Sequence, residues 1–189
     1  MKKVDKKITC IYEAGLENMV VLVSTRVNET NYVMTSGTMA EVSHQPPLLS
    51  VSICPARYTH DRILEKRAFA VNLLSIKQKA LAMACGSCSG RDVDKFKKYN
   101  IHYTLSEDGF PFIHGCLANI GCRLIASHPH GDHTIFVGEM IEARVFGERT
   151  KRHLLLSDCS SRWPRWLING ARKFRLLHWA IRQFDKEDL

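Results

Sequence analysis

Three things are missing from this chain of 189 residues, and each absence closes off a class of protein. No apolar run approaches the roughly 20 residues that a membrane-spanning helix needs. No G-x-G-x-x-G occurs, so the dinucleotide-binding turn of doubly wound folds is absent. Cys85-Gly-Ser-Cys88 has the spacing of a redox or metal motif, but no second C-x-x-C completes a four-thiolate zinc site. Seven cysteines (10, 54, 85, 88, 116, 122 and 159) are an odd number in a chain large enough to fold without staples. That usage points to reduced thiols in a reducing compartment. The start, MKKVDKKITC, is basic and runs into charged and polar residues rather than the apolar block of a signal peptide. The expectation is a cytoplasmic protein with no membrane span.

Acidic charge is also scarce, and unevenly so. The net charge is +8, of which residues 149–189 supply +6 from ten Lys/Arg against four Asp/Glu, leaving +2 for residues 1–148. The body is therefore nearly neutral. It has no basic stripe interleaved with aromatics, and no nucleic-acid partner is expected. Residues 1–149 are read as one domain and residues 150–189 as a basic helical tail that holds Trp163, Trp166 and Trp179. In that tail Phe174, Leu177, Ile181 and Phe184 fall at helical spacing. Such a helix suits packing on the barrel or a second subunit; a membrane-surface or partner-binding helix is the alternative.

What the chain does have is alternation. Met19–Thr25 is a β-branched run, and Asn28–Asn31 is a turn into a second strand from Tyr32 to Thr35. Pro47–Cys54 alternates apolar residues with Ser50 and Ser52, as a half-buried strand does. Tyr58–Lys66 is predicted as a short helix with Thr59 as its cap and Ile63 and Leu64 facing inward. Phe69–Leu74 is another strand. Ser75 opens a helix through Ala84, and Ser89 opens a second with Asp residues in its first turn. Cys116–Ser127 and His133–Val145 read as long strands joined by the HPHGD reversal. His128, His130 and His133 are read as that hairpin tip, and no metal site is expected. Six or so strands on short turns, with inserted helices, make an antiparallel barrel or α+β domain.

The stretch from Tyr32 to His60 concentrates the chemistry. Thr35, Ser36, Thr38, Arg57 and Thr59 supply hydroxyls and a guanidinium from two neighbouring segments, as a phosphate requires. Gly37 lets backbone approach a ligand closely. Met39, Ala40 and the strand end Ser52-Ile53-Cys54 offer a flat apolar wall and backbone groups for a planar ring. No catalytic acid–base pair stands out.

The segments MTSGTMAEVSHQPPLLSVSICPARYTHDRI, FAVNLLSIKQKALAMACGSCSGRDVDKF and GDHTIFVGEMIEARV, in that order, resemble successive blocks of the flavin reductase-like family. These are the FMN-binding split barrels that include flavoredoxins. The resemblance covers roughly residues 15–146. It implies a mainly β Greek-key split barrel with short inserted helices, a homodimer, and FMN bound non-covalently. Carried over by residue, it implies that Thr35 to Ala40 line the flavin and that Ser52, Ile53 and Cys54 meet the ring edge. Arg57, Tyr58 and Thr59 would hold the phosphate, and the block with Ser89 and Lys95 would close over the cofactor. His133 would stand where NAD(P)H or a redox partner protein approaches, as the catalytic residue. The implied activity is electron transfer from NAD(P)H to flavin or an acceptor, the alternative being an electron carrier that does not oxidise NAD(P)H. The chain departs from the family at Thr38, Met39 and His44-Gln45, where aromatics and Phe-Asp are usual.

Overall fold

A computed structural model describes residues 17–146 and 152–160. Nine strands and a few short helices follow one another as β1 (Val21–Val27), β2 (Thr30–Ser36), β3 (Ala40–His44), β4 (Pro47–Ile53), α1 (Tyr58–Lys66), β5 (Ala68–Leu73), α2 (Lys79–Ser87), α3 (Lys95–Lys98), β6 (Tyr103–Leu105), β7 (Pro111–Ile113), β8 (Ala118–His130), β9 (His133–Val145) and α4 (Leu156–Ser160). Seven of the strands form one antiparallel sheet in the order β2-β1-β5-β8-β9-β4-β3, and β6 and β7 pair separately. The fold is the mostly antiparallel split barrel that the alternation and the blocks implied.

β1 shows why the sheet rolls up. Its side chains alternate between two apolar clusters, so both faces are buried. Val21 and Val23 point into the barrel with Val51, Ile53, Phe69, Val71 and Phe136. Val20 and Leu22 face the other way, toward Leu74, Ala82, Cys85 and Leu154. Each large apolar side chain so buried contributes about 1.5–3 kcal/mol. β8 and β9 bend through register shifts at Gly121/Cys122 and Leu124/Ala126. At Gly138 a Cβ would lie 2.7 Å from Phe69 Cζ and 2.8 Å from the Cβ of Cys122, so only glycine lets the bent strand lie this close.

Several elements differ from the sequence expectation. The first turn needs only Asn28 and Glu29, both at positive φ, and β2 resumes at Thr30. β3 is an added edge strand over residues to which the sequence pattern assigned no element, and it turns through Gln45 and a cis Pro46 into β4. The helix expected from Ser89 is confined to Lys95–Lys98, because Asp94 caps it by accepting from Lys97 N and residues 89–93 form turns instead.

Residues 152–160 run back onto the barrel. Val20 N donates to Leu154 O and Leu154 N to Leu74 O, at 2.8 and 2.9 Å. Leu154 and Cys159 join the cluster on the outer side of β1. The expected domain boundary at 149/150 thus has barrel-packed residues on its tail side. The helical tail expected around Trp163, Trp166 and Trp179 lies outside the described residues. Among the described residues no helix is long and apolar enough to cross a membrane.

Candidate functional site

α1 follows directly from β4, and the turn between them sets up the site. Arg57 N donates to Cys54 O at 2.9 Å, and Arg57 then stands at the N-cap with φ −82° and ψ 126°. Arg57 offers no side-chain cap to the helix. Thr59, expected as the cap, lies one residue inside the helix and is buried. Leu64, expected to face inward, is exposed, because the inward stripe is made by Thr59, His60 and Ile63, at i, i+1 and i+4. The amides of Tyr58 and Thr59, the Thr59 hydroxyl and the Arg57 guanidinium make no hydrogen bond among the described residues. A helix N-terminus with open amides beside a cation is an anion-binding arrangement.

A second cation stands near the first. Lys95 is buried, and its Nζ donates to Cys85 O at 2.6 Å. Burial pulls its pKa below the ordinary lysine value of 10.5; Cys88 and Cys85 oppose this, and the charge on Arg57 adds to it. Neither cation has a carboxylate partner among the described residues. The loop before α3 lies against α1. Arg91 and Arg62 place their guanidiniums 5.3 and 5.0 Å from the Tyr58 ring centre, and Tyr32 meets the same ring edge-on at 5.5 Å. Ser89 Oγ accepts from Arg91 N at 3.1 Å and shapes that loop.

The turn from Thr35 to Ala40 closes the barrel where no ladder does. Thr38 Oγ1 donates to Ser52 O at 2.7 Å and accepts from Ser52 N at 3.1 Å, which ties the end of β2 to the end of β4. Ser36 Oγ lies 2.8 Å from Thr38 Oγ1. Thr35 donates its hydroxyl proton to Ala82 O at 2.6 Å and so braces the turn on α2. Met39 packs against the barrel core, Ala40 is exposed at the start of β3, and Gly37 faces Leu156 of the returning segment. Cys54 is half-buried at the strand end.

His133 starts β9, next to Thr134, which pairs with Ile53. Its Nδ1 lies 2.7 Å from Asp132 Oδ1, and this hydrogen bond, with the charge of His133, holds the Asp132 carboxyl below the usual range. The Ser52–Cys54 strand end and the His133 hairpin are therefore neighbours. Arg57, Tyr58, Thr59, Lys95 and the Ser89 loop gather around the start of α1. His60 joins the two groups: its Nε2 is 3.0 Å from Thr134 Oγ1. Sequence reading passed over His60 and Asp61; only their position, directly after the basic turn, signalled them.

Cys85 and Cys88 are free, with Cys85 buried and its pKa pushed up to about 12 by that burial. Cys88 Sγ lies 3.2 Å from Tyr99 OH. No group of three or more His, Cys, Asp or Glu among the described residues is arranged to hold a metal.

A rolled antiparallel sheet closed by a threonine side chain, with an uncapped helix N-terminus and two cations without carboxylate partners beside the closure, defines a split barrel. The chain belongs to the flavin reductase-like family, whose "flavin reductase like domain" profile matches residues 14–164. It is 35% identical over 124 residues to the FMN reductase (NADH) SmoA of Agrobacterium fabrum, covering 66% of this chain and 68% of that one. It is 30% identical over 131 residues to the reductase component of an FADH2-dependent resorcinol hydroxylase of Rhizobium, covering 69% and 70%. The flavoredoxin structure from Methanosarcina acetivorans superposes with a TM-score of 0.69 at 26% identity, covering 77% of this chain and 76% of that one. The chain is accordingly an oxidoreductase of the flavin reductase type, whose class of reaction is electron transfer from NAD(P)H to flavin.

Proposed function

We propose that the start of α1 holds the phosphate of FMN and that the ring lies along the Thr35–Ala40 turn and the Ser52–Cys54 strand end. NAD(P)H then approaches from the His133 hairpin. The observation that carries this reading is the set of unclaimed donors at α1: two amides, the Thr59 hydroxyl and the Arg57 guanidinium. Hydrogen bonds from charged donors to phosphate are worth roughly 1.5–3 kcal/mol each. Lys95 adds charge from behind, and a phosphate dianion favours its protonated form against the burial that disfavours it.

The remaining residues orient. Thr38 holds Ser52, so the backbone of the strand end faces the ring edge in one position. Met39 and Cys54 supply apolar surface, and Ser36 and Gly37 shape the turn. Tyr58 and Ser89, under and beside the Arg91 loop, cover the phosphate end. When bound, the flavin supplies the redox chemistry, and the protein positions it and tunes its environment. His133 sits on the nicotinamide side. A homodimer covers the exposed Ile125 and Ile141 on the outer face of β8 and β9. A cytoplasmic location rests on the cysteine usage alone.

Titration with FMN, FAD and riboflavin tests the phosphate cradle: FMN binds more tightly than riboflavin, and equal affinities refute the cradle. FAD binding more tightly than FMN moves the resident flavin to the dinucleotide. Anaerobic mixing with NADH or NADPH then tests the reaction. Rapid bleaching of the bound flavin is expected; flavin reducible only by a donor protein makes the chain a carrier, the reading that the flavoredoxin likeness favours.

A further inference from the structure

Among the described residues His60 is the only buried histidine, and every part of its ring is engaged. Nδ1 lies 3.0 Å from Asp61 Oδ1, Nε2 lies 3.0 Å from Thr134 Oγ1, and the ring meets Phe136 edge-on at 5.1 Å. A carboxylate only accepts, so Nδ1 donates to Asp61, and in the neutral ring Nε2 accepts the Thr134 hydroxyl proton. Asp61 reaches further, with Oδ2 3.8 Å from Arg91 Nη2.

The order acid, imidazole, hydroxyl is that of a nucleophilic triad, but burial excludes that use. Thr134 is 6% exposed and His60 7%, so no substrate reaches the hydroxyl. What the array does is connect. It runs from the Arg91 loop through α1 to the first residues of β9, and thus joins three segments that share no β-ladder. Thr134 directly follows His133 and pairs with Ile53.

We infer that Asp61, His60 and Thr134 are a positioning unit that sets the His133 hairpin against the α1 end of the site and so fixes where the nicotinamide docks. This rests on the flavin reading above. His60 and Thr134 touch neither ligand; they act through His133. Small displacements of groups that orient a reactant have large kinetic cost.

Conservative pairs separate positioning from packing. Gln carries its terminal amide close to the Nε2 position, where the amide oxygen accepts the Thr134 hydroxyl proton, and Asn carries its amide close to Nδ1, so His60→Gln keeps the link to Thr134 and His60→Asn breaks it. Likewise Thr134→Ser keeps the hydroxyl and Thr134→Val removes it at nearly constant volume. The expected result is that Thr134→Val and His60→Asn raise KM for NADH about tenfold, while flavin Kd stays within about twofold. Thr134→Ser and His60→Gln stay near wild type. Amide hydrogen exchange in residues 132–135 is faster in Thr134→Val than in Thr134→Ser, with or without flavin. The inference is overturned if Thr134→Ser behaves as Thr134→Val does, if flavin Kd and KM rise together, or if the exchange does not change. A wild-type protein that binds no flavin overturns the flavin reading instead. The positioning unit then stands or falls on the exchange result alone.

Discussion

Two polar clusters in this barrel differ in one respect. Around Asn72 every group is used: Nδ2 donates to Leu22 O at 3.0 Å and Ser24 Oγ at 2.9 Å, and Oδ1 accepts from Ile113 N and Asn119 Nδ2 at 3.0 and 2.7 Å. Asn119 also donates to Ile113 O, and Ser24 to Pro111 O. This closed network staples β7 to the sheet. At the start of α1 the donors are left open and the cations unpaired. Buried polar groups are costly unless satisfied, so the satisfied cluster holds the fold, whereas the open donors at α1 are the ones the proposed phosphate would take.

Asn72→Ala attacks the closed cluster and has the largest expected effect. It strands several buried partners and lowers unfolding free energy by about 3 kcal/mol in urea denaturation. FMN affinity of the folded fraction stays within about twofold, since the site shares no partner with Asn72. A loss of affinity that matches the loss of stability erases the contrast.

Arg57→Ala attacks the open cluster. FMN binding weakens by about 10–100-fold, the equivalent of one charged hydrogen bond, while riboflavin binding and melting temperature barely change. Equal loss for both flavins removes Arg57 from the phosphate.

Lys95→Met sharpens the contrast through its sign. The folded pKa of Lys95 lies below its unfolded value, so the folded state holds fewer protons between the two, and stability rises as pH climbs through that window toward 10.5. Replacing Lys95 flattens this rise and leaves the ligand-free protein as stable or more so, yet weakens FMN. Melting curves across alkaline pH, with and without FMN, read both effects; a destabilised ligand-free protein refutes the assignment.

The smallest effect belongs to the returning segment. Asp158 accepts from Leu155 N at 2.9 Å and Arg152 Nη2 at 2.8 Å, and these bonds, that of the Leu155 amide first, hold its carboxyl below the usual 3.8. A depressed carboxyl contributes stability above its unfolded pKa and loses it as pH falls through the folded one. Asp158→Asn therefore narrows the stability difference between neutral and acidic pH without changing flavin affinity. A change in affinity means that Leu156, which faces Gly37, transmits strain into the ligand turn.

The strands β4, β8 and β9 were legible because a strand with a buried face writes a period of two into its residues, and β5 because it is a short apolar run. β3 was not, because Ala40–His44 is an edge strand with almost every residue exposed. β6 and β7 are too short, at three residues each, to show a period. The hydroxyl-rich turn and the basic Arg57-Tyr58-Thr59 turn could be named from composition, but not the use of each hydroxyl. Thr35 and Thr38 serve the barrel's own carbonyls.

The sequence by itself determined an alternating antiparallel β pattern and two neighbouring segments rich in hydroxyls and basic charge, and its family blocks implied the split barrel, because alternation and donor chemistry are local properties. Tertiary structure alone decided which donors stay open. Whether Thr35 meets Ala82 and whether His60 reaches Thr134 depend on residues 47 and 74 positions apart. Hydrogen bonds are assigned by proximity, and proximity across the sheet exists only after the barrel has closed.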